Sequence, residues 1–201
     1  MYEYKYEDSY NYSSLVLVKQ SRYSLEETSF SIENIQEILT STPIIKEPAI
    51  PFPQADSFER IINLCELLKR KRTLTDEEIT TAYGFDKRQT GYYTNAGRYL
   101  GFIEKKIDDG VKYQLTAKGK ALFTENHLQR QKVFIAAILS HGVFSKALTL
   151  YLKKADTPSK PEVVALMKES NLYNVNSDVT YNRRASTVFG WINWILSLQA
   201  E

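Results

Sequence analysis

The segment from Asp56 to Thr124 constrains the fold most, because its start and stop signals occur in one definite order. Asp56-Ser57-Phe58-Glu59 places an acidic residue three positions before a glutamate, the spacing of a capping box. It opens a run with Phe58, Ile61, Ile62, Cys65 and Leu68 at helical intervals. The run ends in the basic stretch 69–72, where cations suit the negative end of a helix dipole. Thr75-Asp76-Glu77-Glu78 repeats the capping pattern and predicts a short helix, stopped by Gly84 in a left-handed conformation. A third helix is expected over about 87–100, closing on Gly101. Residues 102–106 and 111–115 are strand-like, and Ile107-Asp108-Asp109-Gly110 supplies an Asp-Gly hairpin turn. Thr116 then caps a further helix expected over 117–125.

Three helices, a hairpin and a helix within one short segment predict a winged helix-turn-helix. The expected fold class is therefore mainly α with a small β-hairpin wing. The first twelve residues, rich in Tyr and charge, read as an irregular arm, and Leu15–Val18 reads as a short strand. Ser31 caps a helix with Ile32, Ile35, Ile38 and Leu39 on one stripe. Pro43, Pro48, Pro51 and Pro53 then fix an extended linker or strap. After the hairpin, helices are expected over 130–140, 144–153 and 161–169, with a last one from Asp178 carrying Val188, Trp191, Ile192 and Ile195 inward. A second, degenerate winged-helix or helical unit accounts for that layout. The expected divisions are an acidic arm and strap at 1–54, the winged unit at 55–125, and the second unit at 126–201.

Composition excludes several classes. A chain of 201 residues with 43% hydrophobic and 25% charged residues can bury a core and is not a disordered polyanion or polycation. No apolar run approaches the roughly 18 residues a membrane span needs, and the N-terminus is acidic where a signal peptide is basic. No membrane association and a cytoplasmic location are expected. Cys65 is the single cysteine and lies in an apolar helical pattern, so no intrachain disulfide or thiolate cluster can form. His127 and His141 lack any metal-ligand spacing. No glycine-rich phosphate loop or hydrolase, kinase or dinucleotide-binding pattern is present. Glu3-Tyr4-Lys5 and Glu104-Lys105-Lys106 are poor matches to a metal-dependent nuclease, one in the terminal arm and one in the wing. Neither an enzyme nor a metal or cofactor is expected.

Charge is uneven along the chain. Residues 1–59 hold four Lys/Arg against ten Asp/Glu, whereas residues 87–146 hold eleven against four. Such asymmetry points to a polyanion as partner of the basic half. The third predicted helix carries Lys87, Arg88, Gln89, Thr90, Tyr92, Tyr93, Asn95 and Arg98, with no acidic residue over 87–98. In a helix-turn-helix this element enters the major groove, where Arg pairs with guanine and Gln or Asn with adenine. Thr90 is expected to be left free with Lys87, Arg88, Gln89 and Asn95; Lys87, the tyrosine hydroxyls and Arg98 suit phosphates, and the wing residues Lys105, Lys106 and Lys112 suit a flanking backbone. Arg183, Arg184 and Thr187, at the start of the last helix, form a second candidate surface beside Trp191 and Trp194, which read as core; the arginine pair suits either DNA contact or a structural ion pair.

The stretches RQTGYYTNAGRYLGFI and RRASTVFGWINWI, with FPQADSFERIINLCELL and YQLTAKGKAL, resemble the winged-helix region attached to type II restriction endonucleases and related phage-defence proteins. The similarity covers roughly residues 50–198. It implies DNA recognition beside a nuclease or other effector, with Arg88, Gln89, Tyr92, Tyr93, Asn95, Arg98, Arg183, Arg184 and Thr187 as contact positions. No nuclease core accompanies it, so cleavage is not carried over. The chain reads as a recognition domain of a longer enzyme or as a stand-alone relative.

The expected activity is thus sequence-specific binding of double-stranded DNA. A protein-interaction adaptor that holds an effector subunit, or a stand-alone transcription regulator, remains the alternative, since fold does not fix function. Oligomeric state and target site stay open.

Overall fold

A computed structural model describes residues 30–84 and 86–199 of the chain. The expected Tyr-rich arm and the strand at Leu15–Val18 lie outside the described residues. The rest is mainly helical with one small antiparallel sheet.

Helix α1 (Ile32–Ser41) starts at a capping box: Ser31 Oγ accepts from the Asn34 amide, and Asn34 Oδ1 accepts from the Ser31 amide. Ile35 is its buried residue, and the helix packs on α6 (His127–Leu139). Between α1 and α2 (Phe58–Lys71), the proline-rich strap is fastened to the helical body by backbone hydrogen bonds. The Ile45 amide donates to the Ser140 carbonyl at 2.9 Å and the Phe52 amide to the Tyr173 carbonyl at 3.3 Å. The Phe52 ring is buried between Tyr99 and Phe144, 5.6 Å from each.

The capping box expected at Asp56 does not form. The cap of α2 is Ser57, whose side chain makes no cap bond and donates instead to Glu59 at 2.9 Å. Asp56 is held one residue further out, because its backbone lies against Gly190 of α9 (Asp178–Ser197). Arg72 leaves α2 at φ +68° and ψ −59° and leads into β1 (Thr73–Thr75), a strand too short to show in the sequence pattern. Thr75 ends β1 and caps α3 (Asp76–Tyr83) in the expected box with Glu78. Gly84 closes α3 at φ +62°, where a residue without Cβ avoids the left-handed penalty.

Helix α4 (Lys87–Tyr99) is capped by Asp86, whose carboxylate accepts from the Gln89 amide at 2.8 Å. The hairpin β2 (Ile103–Asp108) and β3 (Gly110–Leu115) turns at Asp109-Gly110, with Gly110 at φ +89°. β3 is central and the sheet order is β1-β3-β2. Helix α5 (Ala117–Ala121) is capped by Thr116 and stops before the expected Glu125. Gly119 lets it sit directly on the Phe102 carbonyl, where a Cβ would collide. Helix α6 begins at an Asn126 cap, a turn earlier than its apolar pattern suggests. Helices α7 (Gly142–Lys154), α8 (Lys160–Lys168) and α9 complete a four-helix C-terminal part, with no strand pair among its described residues beyond the bridge of Gln199 to Phe30.

The buried side chains make one continuous cluster. Its centre is aromatic: Phe58 lies 5.6 Å from Phe134, 5.4 Å from Trp191 and 4.1 Å from Trp194. Phe102 approaches Phe134 at 5.3 Å, and Phe144 stacks on Trp191 at 4.8 Å. Each such pair adds about 0.5–1.5 kcal/mol beyond area burial. Both tryptophans are core, and α2 is thereby locked to the C-terminal helices. No single helix among the described residues is long and apolar enough to cross a membrane.

Candidate nucleic-acid interface

Helix α4 sorts its side chains by period. Tyr93, Ala96 and Tyr99 are buried, while Lys87 and Arg88 on the first turn are exposed. Gln89, Tyr92 and Tyr93 line an open polar cleft of about 920 Å³. Its far wall is α9, through Arg183, Ser186 and Gly190, and its near wall is α2 and the strap, through Arg60, Ser57 and Asp56. The two surfaces that the sequence suggests separately, the third helix and the Arg183 region, therefore meet at one place.

The strap sets the width of this cleft. The Trp191 indole N–H donates to the Ala55 carbonyl at 2.7 Å, and the Ala55 amide donates to Thr187 Oγ1 at 3.1 Å. The Arg184 guanidinium donates to the Phe52 carbonyl at 2.6 Å. Within the cleft, the Arg60 guanidinium sits 5.7 Å from the Tyr93 ring centre, and the Tyr93 hydroxyl reaches Asp56 Oδ1 at 3.5 Å. Burial, with the Asp56 charge beside it, pushes the Tyr93 phenol up.

Three of the sequence-predicted contacts prove to be internal. Thr90 is fully buried, its hydroxyl 2.8 Å from that of Thr80, so it joins α4 to α3 rather than facing outward. Thr187 is fully buried and satisfies the strap amide described above. Arg184 is half-buried and holds the strap; burial, then the neighbouring Arg183, pulls its guanidinium pKa down. Buried backbone groups need partners, and these side chains supply them. Asn95 and Arg98 remain half-exposed on α4 but bond to each other at 2.8 Å.

The hairpin register divides its three lysines. Residues opposite one another in an antiparallel pair share a face. Lys105 stands opposite the buried Tyr113, on the core side of the sheet, but is itself exposed, while Lys106 opposes Lys112 on the other face. Lys112 is half-buried; the Glu78 carboxyl is lowered chiefly by its hydrogen bonds to Thr75, with a smaller contribution from the Lys112 charge. Lys87, Arg88, Lys105 and Arg183 make no ion pair among the described residues. Arg60 is the cleft cation that sequence reasoning missed. Its outward place on α2 was legible, but the return of α9 beside it was not.

Gly91 stands out on the outer side of α4. It is in a helix interior, and a Cβ there would meet nothing within 4 Å. Gly97, by contrast, is pressed against Ile103 and has a packing reason. A glycine in a helix costs about 1 kcal/mol relative to alanine. No internal contact repays that cost at Gly91.

No group of three or more His, Cys, Asp or Glu side chains with metal-binding geometry occurs among the described residues. Cys65 is buried, and burial pushes its thiol up to about 12. His141 is buried with Nδ1 3.4 Å from Glu47, which also accepts a 2.6 Å bond from the Tyr99 hydroxyl.

Comparison with known proteins finds one family, described as a domain of unknown function (DUF7226), whose model matches residues 60–200. No curated protein and no solved structure matches the chain.

Proposed function

The chain belongs to the DUF7226 family, whose description assigns no activity, and from its geometry we propose that it binds double-stranded DNA sequence-specifically through a winged helix-turn-helix. In this reading α3 and α4 are the helix-turn-helix, β2 and β3 the wing, and the order β1-β3-β2 supports it. The observation that carries the proposal is the exposed first turn of α4, with Lys87 and Arg88 and no acidic residue after its Asp86 cap, beside a polar cleft lined by Arg60 and Arg183 together with Asp56.

The first turn of α4 enters the major groove. Arg88 reads guanine through its paired donors and Gln89 reads adenine, each at about 1–3 kcal/mol of discrimination. Gly91 lets the helix approach the groove wall without a Cβ between them. Arg60, Arg183 and Lys105 take phosphates on either side, which fix register and carry no sequence information. The chain acts as a recognition module without chemistry of its own, serving a nuclease or other effector as its resemblance suggests.

Fluorescence anisotropy with a random-sequence duplex at rising salt tests the electrostatic part. Affinity should fall with a log–log slope of about −0.9 per phosphate neutralised. Salt-independent binding, or none at low salt, would sink it.

A second reading has its own observation. Ile44 and Ile45 of the strap are 56% and 47% exposed side by side, which suits an adaptor that holds a protein partner. Absent DNA binding together with a stoichiometric co-purifying protein would favour it.

A further inference from the structure

The opposite end of α2 carries a second recess, of about 560 Å³, between the helix C-terminus, β1, β3 and the turn after α5. Its floor is apolar: Leu68 and Leu115 are buried, and Phe123 is half-buried. Lys69, Arg72 and Lys120 stand around the rim, and no carboxylate lines it. The Lys69 ammonium lies 4.8 Å from the centre of the Phe123 ring. Among the described residues Arg72 and Lys120 have no ion pair and no side-chain hydrogen bond.

Arg72 adds an independent observation. Its φ of +68° and ψ of −59° are those of the central residue of a classical γ-turn, a rare and strained conformation. The backbone at this position favours glycine, yet the sequence puts a guanidinium there, on the recess rim. Strained residues of this kind cluster at ligand sites.

We infer that this recess binds a small organic anion, with a flat apolar body on Leu68, Leu115 and Phe123 and a phosphate or carboxylate head held by Lys69, Arg72 and Lys120. The volume falls within the range of small-molecule sites, about 300–1,000 Å³. A recess of this size is larger than an inorganic ion fills, and the half-buried Phe123 is the apolar surface that a larger anion would cover. The site shares no residue with the cleft beside α4, so it goes beyond the DNA reading and does not depend on it.

Isothermal titration of the full chain with adenosine 5′-monophosphate, indole-3-acetate and inorganic phosphate tests this and separates the two head groups. At least one organic anion should bind saturably, about tenfold or more tighter than phosphate alone. Arg72→Gly suits the backbone and keeps the chain folded, yet should weaken that binding by about tenfold or more, as should Lys120→Ala. Arg88→Ala should leave it unchanged. The inference is overturned if neither organic anion binds, if phosphate binds as tightly, or if Arg72→Gly has no effect.

Discussion

Gly190 of α9 and Asp56 of the strap are in direct backbone contact, so close that a Cβ on the glycine would collide with the Asp56 carbonyl. This contact and the Trp191–Ala55 hydrogen bond set how far α9 stands from α2, and so the width of the cleft between them. Gly190→Ala should therefore destabilise by about 1–3 kcal/mol, because the neighbour is backbone and cannot rotate away. Urea denaturation reads this directly, and an unchanged midpoint would show that the strap can move.

Gly91→Ala should do the reverse to stability. The added methyl meets open space, so α4 gains about 0.5–1 kcal/mol. The same methyl should weaken duplex binding if α4 lies close to a groove wall. A variant that is stabilised and binds DNA as before would remove Gly91 from the interface.

Arg88 and Arg183 should separate base reading from phosphate contact. Arg88→Ala should cost about 1–3 kcal/mol on a preferred site and much less on random duplex. Arg183→Ala should weaken both alike and reduce the salt slope by about one. Equal losses on both DNAs for Arg88→Ala would refute its assigned role.

The alkaline limb of stability should report Cys65. Its thiol is pushed from 9.0 up to about 12 by burial, so the folded chain keeps a proton that the unfolded chain loses. This contribution is fully present below pH 9 and declines as pH rises toward 12. The slope approaches about 1.4 kcal/mol per pH unit, and burial of the Tyr99 phenol beside Glu47 acts in the same direction. Urea midpoints at about pH 8 and about pH 10.5 should fall, and Cys65→Ala should flatten the fall while lowering overall stability. An identical slope in that variant would contradict the assignment.

What the sequence revealed is local, and what it concealed is not. The Thr75–Glu78 box and the Gly84 stop lie within ten residues, so their chemistry is visible in the string. β1 is three residues long and exists only because β3 pairs with it forty positions later. Thr90, Arg184 and Thr187 look like exposed polar residues by type and spacing. Each is instead a partner demanded by another element: Thr80 of the neighbouring α3 for the first, and the strap backbone, 132 positions away, for the other two. Arg60 is silent in the sequence for the same reason, since its place in the cleft comes from α9 returning beside it.

Selection of bound sites from a random duplex pool tests the central claim most directly, because it asks for binding and specificity together. The account predicts recovery of a short shared sequence by the wild-type chain. It also predicts that Arg88→Ala relaxes the preference at one position while Arg183→Ala lowers recovery without changing the sequence recovered. A pool that is not retained at low salt, or is retained without any enriched sequence, would contradict it.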